Sequence, residues 1–143
     1  MSEANKQLTI RWFEEVWNQR SEAAIDQMFG PHGKSYGFPD RDSVIEGPEA
    51  FKEIHRIFLA AFKDVHVEIK EVIAEGDRVA VRWQATQTHV GDYLGIPPTG
   101  KKTRIDGSSF LTVKDGVILE GTNQMDMQLL VKELKEAALA MQL

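Results

Sequence analysis

Asp126 is the residue of this chain whose type and position best suit it to act as a general base. It ends the segment Thr122-Asn123-Gln124-Met125 and precedes a predicted C-terminal helix. A carboxylate held at the mouth of a half-open sheet can accept a proton from a substrate, since loss of water makes it a stronger base. An aspartate in this place can equally be the N-cap of the helix that follows. The residue alone leaves both interpretations open.

Two histidines are further candidates for proton transfer. His55 shares the predicted inner face of a helix with Phe51 and Phe58. A histidine there is more often a satisfied core residue, but its near-neutral pKa would let it protonate a carbonyl oxygen. His89 precedes a loop that starts at Gly91, and its role is either structural or catalytic. The four histidines lack the spacing of metal ligands, so we expect no metal site.

Composition narrows the class of protein. The 143 residues suit one domain, 1–143, that is large enough to enclose a small pocket. The net charge of -5 and the absence of a basic stripe argue against nucleic acid as a partner. No apolar stretch approaches the ~20 residues that cross a bilayer, so we expect no membrane partner. Without cysteine or an evident secretion signal, we expect a cytoplasmic protein.

The first half of the chain has helical periodicity. Apolar residues at three- and four-residue steps predict a helix that ends near Asn18. Ser21 is a suitable N-cap for a second helix, which Gly30 and Pro31 end. Residues 31–46 are rich in Gly, Pro and Asp and are predicted to be irregular. Pro48 then opens a third helix, whose inner face carries Phe51, Ile54, His55, Phe58 and Phe62.

The second half of the chain alternates with a period of two. It predicts a strand from Val65, a turn at 75–77, and a long strand that runs to about His89. Two more strands, at about 102–113 and 117–125, follow a loop, and a final amphipathic helix ends the chain. This order predicts an α+β fold in which helices cover one face of a curled sheet. Which face of the 78–89 strand lines the resulting pocket stays open.

Several sequence blocks carry a family resemblance: Ala61-Phe62-Lys63-Asp64-Val65, Glu75-Gly76-Asp77-Arg78-Val79-Ala80-Val81-Arg82-Trp83, Thr88 to Lys101 with Gly95-Ile96-Pro97-Pro98-Thr99-Gly100, Asp115-Gly116-Val117-Ile118, and Asp126. In these blocks the chain resembles the SnoaL-like polyketide cyclase family, within the superfamily built on the nuclear transport factor fold. The Gly-Ile-Pro-Pro-Thr-Gly loop is the most specific of them.

The resemblance implies an architecture. It is a cone-shaped α+β half-barrel, with three N-terminal helices on a strongly curved, mainly antiparallel sheet of four to six strands, and a C-terminal helix. Members usually form a homodimer packed through the sheets.

The resemblance also implies a reaction and a site. The reaction is an intramolecular aldol cyclisation of a polyketide ester without metal or organic cofactor, and Asp126 matches the position of the base. Same-face positions of the last two strands line the pocket in family members, which points to Phe110, Thr112, Thr122 and Gln124.

Our leading hypothesis is therefore a cofactor-independent enzyme that acts on a small apolar carbonyl metabolite. Asp126 would be the base, and His55 or Thr112 would hydrogen-bond the developing oxyanion. We expect a substrate pocket walled by Trp17, Phe58, Trp83, His89, Phe110, Thr122 and Gln124.

Two alternatives remain. Thr112 stands where many members have His or Arg, and Thr122 where many have Trp, which favours a non-catalytic protein that binds a hydrophobic small molecule. A lyase or hydrolase on the same fold, such as a dehydratase, would need Asp126 paired with a residue such as His55.

Overall fold

The protein is described by a computed structural model that covers residues 2–143. Within these residues four α-helices pack on a six-stranded mixed sheet. The helices are α1 (Ser2–Arg11), α2 (Glu22–Met28), α3 (Pro48–Ala61) and α4 (Met127–Ala140). Helix α1 leads directly into a π-helical segment, Trp12–Asn18, so the predicted end of the first helix near Asn18 is confirmed. The architecture is the expected α+β class.

The helix boundaries follow from local chemistry. The Ser21 hydroxyl accepts a hydrogen bond from the Ala24 backbone N–H at 3.1 Å and caps α2 as predicted. Pro48 lies in the first turn of α3, where its missing N–H does no harm. Phe51, His55 and Phe58 then recur at helical spacing and are buried. Helix α3 therefore turns one apolar face towards the sheet.

The strands are β1 (Phe29–Tyr36), β2 (Val44–Glu46), β3 (Phe62–Glu75), β4 (Arg78–His89), β5 (Lys102–Lys114) and β6 (Val117–Met125). Their order in the sheet is β2-β1-β6-β5-β4-β3. Every neighbouring pair is antiparallel except β1 and β6, which run parallel. The sheet stays open, because β2 and β3 lie at its two ends.

The prediction that residues 31–46 are irregular is correct only for 37–43. Most of β1 and all of β2 lie in the predicted range, and Ser35 pairs with Gly121 of β6. Pro31 lies between Phe29 and Lys34, where the register with β6 shifts, so its missing N–H is tolerated. Pairing with a distant strand thus overrides the local preference for turns.

Alternation along β4 divides the sheet into two faces. Val79, Val81, Trp83, Ala85 and Gln87 are buried on the inner face, towards the helices. Helices α1 and α3 both contact β3, and α3 also contacts β1 near the other end of the sheet. Inner-face residues of both β1 and β3 line one shared cavity. The sheet must therefore curve strongly around the helices, since β1 and β3 lie four positions apart in the strand order.

Two further observations concern residues 2–143. No helix in this part of the chain combines the length and the apolar character that a membrane span needs. The same residues contain no cluster of three or more His, Cys, Asp or Glu side chains placed to bind a metal ion.

Candidate functional site

A narrow cavity lies between the inner face of the sheet and the helices. Its volume is about 80 Å³. Most of its lining is aromatic or aliphatic. The lining includes no Asp, Glu, Lys, Arg or His side chain. The lining residues are Trp12, Phe13, Trp17, Phe29, Ser35, Phe38, Phe51, Phe58, Val65, Val67, Trp83, Ala85, Gln87, Ile105, Ser109, Leu111, Ile118, Gly121, Asn123 and Met125. Such a cavity suits a neutral, largely apolar guest.

Three of the predicted wall residues line this cavity. Trp17 and Phe58 meet edge to face, with ring centroids 5.9 Å apart. The Trp83 ring lies over Gly107 of the neighbouring strand, where an added Cβ would come within 2.4 Å of Trp83 Cζ2. The missing side chain at Gly107 therefore makes room for the indole ring.

A polar cluster of Ser35, Ser109 and Asn123 interrupts the apolar lining. Ser109 Oγ accepts from Trp83 Nε1–H at 3.0 Å and donates to Asn123 Oδ1 at 2.6 Å. Asn123 Nδ2 donates to Ser35 Oγ at 3.1 Å and to the Tyr36 carbonyl at 2.9 Å. The cluster ties β1, β6, β5 and β4 together through side chains. It also offers a guest hydroxyl groups inside an otherwise apolar wall.

Gln87 is the second polar feature of the cavity wall. Its Nε2–H donates to Thr103 Oγ1 at 2.7 Å on the adjacent strand. The residue is only 2% exposed, and its buried Oε1 has no hydrogen-bond partner among residues 2–143. Gln87 lies six residues along β4 from Val81, which pairs with Ser109. At about 3.3 Å per residue this separation is roughly 20 Å along the strand, so the polar cluster and Gln87 are separate features of the cavity wall.

Asp126 lies on the rim, outside the cavity. Its side chain is exposed, and Oδ1 accepts a hydrogen bond from the Leu129 backbone N–H at 2.9 Å, which caps α4. The preceding residue, Met125, lines the cavity. Open grooves lie on both sides of Asp126; one shares Gln87 and Ile105 with the cavity and the other shares Met125. The carboxylate is therefore next to the cavity, in contact with water.

A family model described as SnoaL-like polyketide cyclase matches residues 7–134 of this sequence. The chain belongs to the SnoaL-like polyketide cyclase family. The match covers all six strands and most of α4, and so includes the cavity and its rim. No curated protein matches this SnoaL-like chain.

Solved structures share the fold of this SnoaL-like chain. A proposed SnoaL-like polyketide cyclase from Jannaschia sp. CCS1 is 23% identical, with a TM-score of 0.82 over 91% of this chain and 90% of that one. AclR, a proposed hydroxylase from Streptomyces galilaeus, is 25% identical, with a TM-score of 0.82 over 95% and 98% of the two chains. A proposed polyketide cyclase from Acidithiobacillus ferrooxidans is 24% identical, with a TM-score of 0.78 over 94% and 96%. Proteins described as proposed cyclases and as a proposed hydroxylase thus share this fold.

The placement predicted for four wall residues of this SnoaL-like chain is wrong. Phe110, Thr122 and Gln124 are exposed on the outer face of the sheet, and Thr112 shares their parity on β5. The inner positions are the intervening ones, which in β5 include the buried Ile105, Leu111 and Val113. A slip of one residue exchanges the two faces of a strand. The apolar residues at odd positions of β5 indicate that this face points inward, and this signal could have identified Ser109. Asn123 pairs with Ser109 on the neighbouring strand β6 and shares that face.

Thr112 is also distant from Asp126 along the sheet. It pairs with Glu120, whereas the end of β6 next to Asp126 pairs at Gly107 with Met125. The hairpin therefore does not bring Thr112 opposite the carboxylate. Contrary to our expectation, Thr112 is not placed to hydrogen-bond an oxyanion that forms next to Asp126.

His55 is buried behind the cavity wall. Its Nε2–H donates to the Val16 carbonyl at 2.7 Å, and its ring packs on Trp17 with centroids 5.0 Å apart. Burial lowers the pKa of His55, and the Val16 carbonyl only partly opposes this effect. His55 lines neither the cavity nor the grooves beside Asp126, so the structure does not bring the two residues together.

His89 anchors the loop between β4 and β5. Its Nδ1 accepts from the Thr99 backbone N–H at 3.3 Å and lies 2.9 Å from Thr99 Oγ1. The ring packs on Phe62, with centroids 5.4 Å apart. Burial lowers the pKa of His89, which favours the neutral ring that these contacts need. His89 is not part of the cavity wall, and its contacts fit the structural interpretation.

Proposed function

We propose that this chain is a cofactor-independent enzyme of cyclase type that holds a small apolar carbonyl compound in the cavity. Asp126 acts as the general base at the rim. The observation that carries this proposal is the continuity of β6, since Met125 lines a neutral apolar cavity and the next residue presents a carboxylate. Membership of the SnoaL-like polyketide cyclase family supports it.

The proposed reaction is an intramolecular aldol addition. The Asp126 carboxylate removes a proton from a carbon beside a carbonyl group and leaves an enolate. The enolate carbon attacks a second carbonyl of the same molecule, which forms a carbon–carbon bond and an alkoxide. The alkoxide takes the proton back from the Asp126 carboxyl group. A well-placed base contributes roughly 10²–10⁴-fold to such a step.

Two contacts bear on Asp126 as a base. Its Oδ1 accepts a hydrogen bond from the Leu129 backbone N–H at the N-terminus of α4, which fixes the position of the carboxylate. An apolar substrate that extends from the cavity over the rim displaces water from the carboxylate and strengthens it. Catalysis therefore depends on how closely the substrate covers Asp126.

The size of the cavity restricts the substrate. Its volume of about 80 Å³ is below the ~300–1,000 Å³ of typical small-molecule sites. A compact substrate fits with little change. A larger one requires aromatic side chains of the wall, such as Trp17 and Phe58, to move.

A second candidate function is non-catalytic binding of a hydrophobic small molecule. The observation that favours it is the lining, which includes no charged or histidine side chain, together with the exposure of Asp126. The lyase or hydrolase alternative has less support. It needs an Asp126–His55 pair, and His55 instead bonds to the Val16 carbonyl.

Substitution of Asp126 by Asn separates catalysis from binding. Asn caps helices about as well as Asp, so this variant keeps the hydrogen bond to Leu129 while it loses the base. With a panel of β-keto esters, we expect kcat to fall roughly 10²–10⁴-fold in Asp126→Asn. Cyclised product is measured by chromatography and mass spectrometry.

The control variant for this test is Asp106→Asn. Asp106 is exposed and lines the same groove as Asp126, but it does not cap a helix. Its substitution should leave turnover unchanged. Equal turnover in wild type and Asp126→Asn would reject Asp126 as the base, and absence of turnover in the wild type would leave the binding function.

We also propose that the protein is a homodimer packed through the outer faces of the sheets. Ile73 and Phe110 both pair with Ala80 and are 66% and 47% exposed, which places two apolar side chains in one row across the outer face. Burial of this row between two copies would remove apolar surface from water. The homodimers common among members of the resembled family support the same assembly.

The proposed location is the cytoplasm. The sequence contains no cysteine, so folding requires no disulfide and no oxidising compartment.

A further inference from the structure

Gln87 carries an unmatched hydrogen-bond acceptor in the cavity wall. We infer that Gln87 selects a neutral guest with a hydrogen-bond donor, such as an enol or hydroxyl group, on its apolar frame. This inference rests on the proposed use of the cavity as the substrate site. It goes further in naming a polar group that the substrate must have and the residue that recognises it.

The hydrogen bonds of Gln87 support this role. The Nε2–H donates to Thr103 Oγ1 at 2.7 Å, which directs that end of the amide towards β5. The other end, Oε1, is buried without a partner. A buried acceptor without a partner destabilises a folded protein, and most such groups are paired. Because Oε1 is buried, a guest reaches it only when neighbouring side chains of the wall shift, and a guest that then donates to Oε1 would restore the missing bond.

The lining defines the rest of the guest. No Asp, Glu, Lys, Arg or His side chain lines the cavity, so a charged guest would lose its hydration without compensation. A guest with only acceptor groups would place its oxygen against Gln87 Oε1 and gain no bond. An apolar compound with one hydroxyl or enol group matches both the wall and the amide oxygen.

Phenol and toluene form a matched pair of probes for this inference. The two molecules are similar in size and shape and differ in one hydroxyl group. Their binding is measured by titration of tryptophan fluorescence, because Trp12, Trp17 and Trp83 all line the cavity, and by calorimetry. The quantity compared between variants is the ratio of the toluene Kd to the phenol Kd.

The test variant is Gln87→Leu, which keeps a similar volume and removes the acceptor. We expect the toluene-to-phenol Kd ratio to fall about 3- to 10-fold, the value of one neutral hydrogen bond. Gln87→Leu combined with Thr103→Val removes the partner hydroxyl too, and it should show the same fall. Either variant suffices if the other fails to fold.

Gln84→Leu is the matched control, since Gln84 lies on the same strand with the opposite parity and does not line the cavity. Its Kd ratio should equal that of the wild type. A Kd ratio that is the same in Gln87→Leu and wild type would overturn the inference but leave the proposed enzyme function intact. If neither probe binds the wild type, both the inference and the use of the cavity as a substrate site are rejected. A fall of the Kd ratio in Gln87→Leu, together with loss of turnover in Asp126→Asn, would support both.

Discussion

His55 and His89 each use one ring nitrogen to hold the backbone of a neighbouring segment. His55 fixes the π-helical segment through the Val16 carbonyl, and His89 fixes the loop before β5 through Thr99. Both are almost fully buried, and burial lowers the pKa of each. The two histidines therefore contribute to stability, and their neutral forms fit their surroundings.

The lowered histidine pKa values predict how stability depends on pH. In the unfolded chain both rings take up a proton near pH 6.5. In the folded protein they remain neutral to lower pH. The unfolded state therefore binds more protons below about pH 6.5, and this binding stabilises it relative to the folded state. We expect the free energy of unfolding to fall as the pH is lowered from about 7 to about 5. Urea unfolding followed by circular dichroism at several pH values measures this slope.

Histidine variants test the origin of that slope. His55→Gln and His89→Gln each remove one titrating ring and should flatten the dependence. The exposed His66 provides the control, since His66→Gln should keep the wild-type slope. Equal slopes in all three variants and the wild type would show that His55 and His89 do not cause the pH dependence of the free energy of unfolding.

Strands β5 and β6 show how one glycine shapes the cavity wall. Gly107 and Gly121 both lie on these strands, but their surroundings differ. A Cβ at Gly107 would meet the Trp83 ring at 2.4 Å, whereas a Cβ at Gly121 would find Leu111 Cγ at 3.9 Å as its nearest neighbour. The ring position of Trp83, and through it the hydrogen bond to Ser109, depends on Gly107.

Alanine substitutions at the two glycines should therefore differ in sign. Gly107→Ala overpacks the Trp83 ring and should lower the free energy of unfolding by about 1–3 kcal/mol. Gly121→Ala fits without a clash and should be neutral or stabilising by up to about 1 kcal/mol, since alanine restricts the unfolded chain. Denaturant unfolding measures both values. Similar losses in the two variants would show that the Trp83 contact is not the cause.

The whole molecule is an open, curved sheet with two different faces. The inner face encloses the cavity with the π-helical segment Trp12–Asn18 and α3, and the outer face of β3, β4 and β5 is exposed in a single chain. Charged side chains flank the apolar row on the outer face, where Arg82 pairs with Glu71 at 2.8 Å. An apolar row with a polar rim is typical of a surface that another protein covers.

A charge placed in that row should disrupt the proposed homodimer. Phe110→Lys puts a cation at the centre of the outer face, and we expect the dimer dissociation constant to rise at least about tenfold, since burial of an unpaired charge is unfavourable. Sedimentation velocity over a range of concentrations measures it. Ile57→Lys changes an apolar residue that is 52% exposed on α3, and it should not affect association. A wild type that stays monomeric at high concentration would reject the dimer.

Much of the fold could be predicted from local patterns. Helix α3 followed from Pro48 and the spacing of Phe51 and Phe58, and β4 to β6 followed from alternation. β1 could not be predicted, because its residues favour turns and it pairs with the three-residue strand β2 and with β6, about 85 residues later in the sequence. Long-range pairing of this kind leaves no periodic signal in the strand that it orders.

The candidate site was predictable only in part. Trp17, Phe58 and Trp83 were expected in the wall because large aromatic residues of such a fold must enclose any cavity. Ser109, Asn123 and Gln87 were missed. Polar residues on a strand are usually assigned to the solvent face. Here Ser109 and Gln87 are buried and Asn123 is half-buried, and other side chains satisfy most of their hydrogen bonds.

The sequence by itself determined the family, the α+β class and the order of most helices and strands, because these depend on periodicity and on short motifs. Only the tertiary structure decided the inward face of β5 and β6, and with it the polar groups of the cavity. Only it placed Asp126 on the rim as an exposed cap of α4. The physical reason is that a strand has two equivalent faces until the curved sheet and its helices select one of them.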